Sequence, residues 1–425
     1  MRVLWFTNSP CNYQSAQKRY GYNGGGWMSA LQNEIQKEAD VELAICFIKG
    51  NEPERVEQNG VIYYPVPSHK TSLIHKLIAS LNPNDPKFDK ELWPHYLSHF
   101  KKIALDFQPD VIEVFGSELY TGLASLLTNY PRVLHLQGIL SAYQYAYHPL
   151  GVSPQMDYLR DFNIIKIYKR KQYLSYWKRS CHREEVIFSK IEHVIGRTTW
   201  DYAVTTALNP QIKYHYGGEM LRSVFYENHN RIIPKKLTIV TTSSSAMYKG
   251  FDFILKTANI LKNKFSLDFT WQVYGNINPQ FFEKYTGLQH QHLNIQLGGV
   301  ATAEQLCNAI CNSTVYFQPS YIENSPNSVC EAQILGVPVV ATNVGGTASL
   351  IENNVSGVLV PIGDPYFAAY QIYRIYNDNS LNLSIGENAK QTAHKRHNRE
   401  IIANQLLNTY KEIIEEFNLK PEDNG

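Results

Sequence analysis

Two series of short apolar runs, each alternating with stretches of helical character, constrain this chain more than any other feature. Strands of a parallel sheet are buried on both faces, so they read as near-continuous apolar runs with helices between them. The first series comprises Val3 to Phe6, Val41 to Ile48, Val61 to Pro65, Val111 to Phe115, Val133 to Leu136 and Val194 to Ile195. The second comprises Leu237 to Thr242, Trp271 to Tyr274, Ile295 to Leu297, Val315 to Phe317, Val337 to Ala341 and Val358 to Val360. A polar stretch, Glu227 to Lys236, lies between them. The pattern predicts an α/β protein of two domains, 1–226 and 237–395, each with its own parallel sheet. At 425 residues the chain is long enough for two cores. Open α/β sheets bind ligands beyond the carboxyl ends of their strands, so the cleft between the domains is where a site is expected.

The densest chemistry lies in the run Ser320 to Pro338. Ser325 is placed to cap a helix, with Pro326 at its first position, where a missing N–H costs nothing. Gly336 ends that helix and Pro338 prevents its continuation. Free N–H groups and partial positive charge at such a helix start suit a diphosphate. Glu323 stands just outside the start and Glu331 about a turn and a half inside it. From Pro326 to Glu331 the rise is roughly 7–8 Å, about the span of a pyrophosphate. Glutamates near a helix start also arise simply because they complement the dipole. The next residues along the chain add weight: an apolar strand from Val337 to Ala341, then Gly345 and Gly346, a turn where backbone can approach a phosphate closely.

From Pro319 to Gly346, continuing through Leu350 to Pro361, the sequence resembles the retaining glycosyltransferases of family 4, with Glu323 and Glu331 falling on the Glu-x7-Glu pair of that family. The resemblance is strong in the second half of the chain and weak in the first. It implies the GT-B fold, two Rossmann-like domains facing each other across a cleft. It also implies that a last helix, about 400–418, crosses back onto the first domain. That segment carries a stripe of Ile401, Ile402, Leu406, Leu407, Tyr410 and Ile413. By likeness, Glu323 contacts the donor sugar, Glu331 the ribose, and Ser325, Pro326, Asn327 and Ser328 present backbone to the donor. Lys249 would neutralise the leaving diphosphate. Ser244 stands where the family usually has an arginine, and Arg197 could supply that charge from the first domain. The glycine run containing Gly25 and Gly26 would reach the donor from the opposite side. Gly275 and Val300 lie in loops suited to reading the base.

On the acceptor side, Gln137 occupies a position where many relatives carry a histidine, and His135 reads as structural. Glu118 either orients an acceptor hydroxyl or caps the next helix. Retaining transfer in this family is generally viewed as front-face attack without a protein nucleophile, so Gln137 is compatible with it. The function implied is transfer of a hexose-type sugar from a UDP- or GDP-linked donor to a glycan or lipid-linked acceptor, in cell-surface polysaccharide synthesis. Two alternatives stand beside it: a sugar-nucleotide epimerase of the same architecture, and a non-catalytic nucleotide-sugar binder.

Composition narrows the partners. With 40 basic and 38 acidic residues the net charge is +2, which gives no general attraction for nucleic acid. The six cysteines form no Cys-x-x-Cys pair, and Cys307 and Cys311 have no histidine near them in the sequence, so they read as core thiols of a reducing cytosol. There is no Asp-x-Asp motif and the 14 histidines are scattered, so neither a metal nor a cofactor is expected. The apolar run at the start is too short for a signal peptide, and a cytoplasmic protein is expected. Arg160 to Lys190 holds nine basic residues interleaved with isoleucine, tyrosine and tryptophan. It is either a solvated helix or a surface for peripheral contact with the inner face of an anionic membrane.

Overall fold

The computed structural model describes residues 1–419, except 16–25, 51, 83, 161–162 and 228. The strands are β1 (Arg2–Thr7), β2 (Glu42–Ile48), β3 (Val56–Gln58), β4 (Val61–Val66), β5 (Val111–Phe115), β6 (Arg132–His135), β7 (His193–Gly196), β8 (Lys213–Tyr216), β9 (Leu237–Thr242), β10 (Phe269–Tyr274), β11 (Ile295–Gly299), β12 (Val315–Gln318), β13 (Val339–Thr342) and β14 (Val358–Val360). They form two sheets. The first has the order β3-β4-β2-β1-β5-β6-β7-β8, the second β11-β10-β9-β12-β13-β14. Every pairing is parallel except β3 with β4. The second sheet follows the doubly wound order throughout, and the first follows it between β4 and β7.

Both sheets therefore reverse direction of growth beside their first strand, between β1 and β5 and between β9 and β12. At these switch points the loops splay apart and leave a crevice beyond the strand ends. The loops after β1, β5, β9 and β12 carry Asn8, Glu118, Lys249 and Glu323. Topology alone thus brings four of the chemically notable side chains to two facing edges.

Three strands depart from expectation. Neither β3 nor β8 is legible in the sequence, because edge strands bury little: the side chains of β8 are half-buried or exposed, and β3 has no buried residue. β13 begins only at Val339, after Pro338, which has no N–H to give a ladder.

The helix Arg399–Leu419 packs Ile402, Ala403, Leu406, Leu407, Tyr410 and Ile413 against Val3, Trp5 and Ile45 of the first sheet. Ile401 is not part of that stripe, being 51% exposed. Tyr410 anchors the contact by donating its hydroxyl to Glu113 and accepting from Trp5 Nε1 at 3.0 Å. Glu113 also meets His135 Nδ1 at 2.7 Å, and the His135 ring stacks on Phe115. Burial, with the Glu113 carboxylate beside it, pushes the Tyr410 hydroxyl well above its ordinary pKa. His135 is a core residue, as its sequence context suggests.

Candidate active site

The run after β12 folds differently from the expected cap. The helix is Asn327–Ile334, preceded by Pro326 at φ −70° and ψ 108°, with no side chain capping its start. Ser325 instead donates to Glu219 Oε2 at 3.1 Å. Its hydroxyl is taken by a buried carboxylate, so the first-turn N–H groups are left without a capping side chain. The far end is as expected: Gly336 adopts φ +73°, and Val337 N–H closes on Ala332 O at 3.0 Å.

Glu323 and Lys249 form an ion pair of 2.6 Å. The same carboxylate oxygen accepts from Ser320 Oγ at 2.7 Å and from Gln318 Nε2 at 3.2 Å. Burial acts to pull the Lys249 ammonium down, but Glu323 and the Tyr248 ring hydroxyl outweigh it, so its pKa lies above the ordinary value. Lys249 is therefore a fixed positive charge at the switch point of the second sheet. The chain path here needs glycine. At Gly275, φ is +124° and a Cβ would sit 1.9 Å from Ser243 O. At Gly345, φ is +49° and a Cβ would sit 1.9 Å from Glu323 O.

Glu331 is buried and gripped by Arg222, with Nε at 2.7 Å and Nη2 at 2.8 Å from its two oxygens. Burial raises its pKa, against the pull of Arg222. Arg197 is buried beside Glu219 at 3.4 Å, donates Nη2 to Leu136 O at 2.5 Å, and lies 5.1 Å over the Trp27 ring. Its Nε, like Asn327 Oδ1, is buried without a hydrogen-bond partner. Glu219 thus joins Arg197 of the first domain to Ser325 of the second. Neither Glu219 nor Arg222 stands out in the sequence; the glycine pair Gly217 and Gly218 just before them is the available signal.

The two walls meet. Asn324 Nδ2 donates to Gln137 O at 3.0 Å, and Asn324 Oδ1 accepts from Thr198 Oγ1 at 2.9 Å. Tyr143 lies 5.7 Å from the Tyr248 ring, centroid to centroid. The Gln137 side chain points the other way, to Met28 Sδ at 3.6 Å. Glu118 takes the N–H of Gly138 at 2.6 Å and Asn8 Nδ2 at 3.2 Å. Burial lifts its pKa from 4.5 to about 7, with those hydrogen bonds opposing. It caps no helix.

Gly26 opens the helix Gly26–Ile35 with φ +59°, one residue from Trp27 and hence from Arg197. Gly25 lies outside the described residues. Ser244 accepts from Ala246 N at 3.3 Å, and Ser328 bonds Gln318. Val300 is 61% exposed at the end of the edge strand β11, following Gly299, whose carbonyl accepts from Gly275 N at 2.7 Å. Beside this closed contact the crevice opens into a cavity of about 470 Å³, with Arg170, Lys169 and Tyr173 on one side and Ser245, Asn278 and Phe281 on the other.

Residues 235–378 match the family model described as Glycosyl transferases group 1. Over 98% of its length the chain superposes on sucrose-phosphate synthase from Thermosynechococcus elongatus, with a TM-score of 0.70, 17% identity and 99% of that chain covered. The fold is GT-B. HepE of Anabaena, solved with UDP-glucose, also superposes, with a TM-score of 0.63 and 16% identity over 97% of this chain and 100% of that one. Among curated relatives, a 41.2 kDa protein from the cps region of Klebsiella pneumoniae is 23% identical over 57% of this chain and 66% of its own length. The capsular polysaccharide biosynthesis glycosyltransferase CapM of Staphylococcus aureus is 33% identical over 25% and 28%. The chain thus spans two thirds or less of the curated relatives it matches. No helix among the described residues is long and apolar enough to cross a membrane.

Proposed function

We propose that this chain is a glycosyltransferase that moves a hexose-type sugar from a UDP- or GDP-linked donor to a glycan or lipid-linked acceptor with retention, in synthesis of a cell-surface polysaccharide. The observation that carries the reading is the Glu323–Lys249 pair at a switch point, beside an uncapped helix start. The relatives named for capsular synthesis support the pathway, and the UDP-glucose held by HepE makes UDP-hexoses the donors to try first.

The charges along the crevice balance without a donor: Lys249 against Glu323, Arg197 against Glu219, Arg222 against Glu331. An entering sugar offers hydroxyl donors to Glu323, which frees Lys249 to face the diphosphate. The N–H groups at the start of Asn327–Ile334 and the guanidinium of Arg197 add to that field. With the departing charge held, an acceptor hydroxyl on the same face of the sugar completes the transfer. Glu118 is the group on the first-domain wall with a pKa suited to hold or take that hydroxyl proton. Glu331 orients ribose hydroxyls only through whatever lone pairs Arg222 leaves free.

A panel of UDP- and GDP-hexoses, each with and without glycan or lipid-linked acceptors, tests the reading. Transfer, with donor hydrolysis slow in the absence of acceptor, is expected. Epimerised donor without an acceptor, or donor bound and never turned over, would replace it with one of the two alternatives.

Peripheral contact with an anionic membrane fits the helix Leu73–Leu81, where Leu73 and Ile74 are 81% and 71% exposed. It packs beside the basic helix Ile164–Phe188. Not all of that basic charge is at the surface: Arg183 is fully buried, paired with Asp89 at 2.7 Å. Salt-sensitive sedimentation with anionic vesicles is expected, and its absence would remove the membrane from the account.

A further inference from the structure

The sequence shows Cys307 and Cys311 without a histidine nearby, but the chain supplies one from 78 residues away. His229, in the segment joining the two sheets, brings Nε2 to 3.3 Å from Cys307 Sγ. Its ligand atom and the two sulfurs all lie within 4.8 Å of one another. Cys307 and Cys311 stand one helical turn apart on Ala303–Cys311, so both thiols leave the same face. Both are buried, and His229 is half-buried. In a tetrahedral zinc site, sulfur at about 2.3 Å and nitrogen at about 2.0 Å from the metal stand roughly 3.5 Å apart. The observed sulfur–nitrogen separation is already close to that.

We infer that His229, Cys307 and Cys311 form a binding site for a soft divalent cation such as zinc, which ties the interdomain segment to the second domain. Two thiolates and an imidazole select zinc over the hard cations that prefer oxygen. A fourth position remains for water or for Glu227, an exposed carboxylate two residues before His229 that acts electrostatically on Cys307. Binding releases the thiol protons to solvent, and the sulfurs enter as thiolates. The metal also replaces the contact between His229 Nε2 and Val224 O at 2.6 Å, so the carbonyl turns to another donor or to water.

The site has a consequence for the crevice. The helix Ala303–Cys311 packs on the turn Ser223–Tyr226, which follows Arg222, and Arg222 holds Glu331. A bound cation would take His229 from the Val224 carbonyl of that turn, making the turn, and through Arg222 the position of Glu331, sensitive to metal. Metal binding at these three residues does not depend on whether the chain transfers sugars.

The test is titration of the reduced full-length chain with cobalt(II), a spectroscopic stand-in for zinc. One equivalent is expected to produce thiolate-to-cobalt charge-transfer absorption and the strong visible bands of tetrahedral cobalt, both abolished by added zinc. Cys311→Ser should lose the charge-transfer band. His229→Gln, at a half-buried position, should lose the tetrahedral visible bands while circular dichroism stays the same. Cys330→Ser, which alters a buried cysteine outside the cluster, should keep both. Absence of charge transfer in the folded wild-type chain, or its persistence in Cys311→Ser, would overturn the site.

Discussion

The two walls of the crevice are built by different means. The second-domain wall combines backbone, in glycine turns at Gly275 and Gly345 and an uncapped helix start, with the Lys249–Glu323 pair seated on Gln318 and Ser320. The first-domain wall is held by buried side-chain networks. Glu184 accepts from Ser117 Oγ, Leu140 N, Ser141 N and Ser141 Oγ, and so fixes the short helix Leu140–Tyr143 that presents Tyr143. Arg183 ties Asp89 to the backbone carbonyl of Glu118. A wall of backbone dipoles suits a ligand whose diphosphate never changes, whereas a wall of side chains can be altered residue by residue to fit different acceptors. That contrast also matches the reach of the family model, which covers the second domain alone.

If the contrast is right, substitutions on the two walls should fail differently. Lys249→Ala should cost most, on the order of 10²–10³-fold in kcat, with a smaller loss of stability than at Arg222, because buried Glu323 keeps the hydrogen bonds of Ser320 and Gln318. Steady-state kinetics beside a melting curve would show it; a stability loss in place of a rate loss would break the contrast. Arg222→Ala should behave in the opposite way. It leaves Glu331 buried without its partner, at about 3 kcal/mol of stability by denaturant titration. Glu323→Gln should lower kcat/KM about 10- to 100-fold, since one charged hydrogen-bond acceptor for the sugar is lost.

Glu118 sharpens the comparison through pH. Its pKa of about 7 means that it is protonated below neutrality. If its carboxylate holds the acceptor proton, the rate should rise about tenfold per unit up to pH 7 and then level off. Stability runs the other way. The folded chain keeps a proton that the unfolded chain loses above 4.5, so this stabilisation is present at low pH and fades as pH rises through about 7. A flat rate profile in wild type would assign Glu118 to holding the Gly138 loop only. The smallest effect, about 1 kcal/mol, is expected for Tyr410→Phe, which leaves Trp5 Nε1 and Glu113 short of a partner and loosens the returning helix without touching the crevice.

Legibility in the sequence divides along similar lines. Central strands such as β1, β9 and β12 announce themselves because both faces are apolar, and Gly336 marks its helix end because no other residue takes that backbone shape cheaply. The edges β3 and β8 do not, since their residues look like any polar loop. Ser325 looks like a helix cap, but a distant carboxylate, Glu219, takes its hydroxyl. Arg183 and Glu184 sit in a run that reads as a basic surface, although both are buried, and only the packing of Ile164–Phe188 against the first sheet shows it. Long-range pairs of charges, and the meeting of His229 with Cys307, depend on the tertiary fold and leave no local pattern.

The central claim is that Glu323 holds the sugar while Lys249 and the helix start beside it hold the diphosphate. Calorimetric titration of wild-type and Glu323→Gln chains with a UDP-hexose and with UDP alone tests it most directly. The account predicts that wild type binds the sugar nucleotide more tightly than UDP, and that Glu323→Gln removes this difference without weakening UDP. Equal weakening of both ligands by the substitution, or no binding of any nucleotide sugar by wild type, would contradict it.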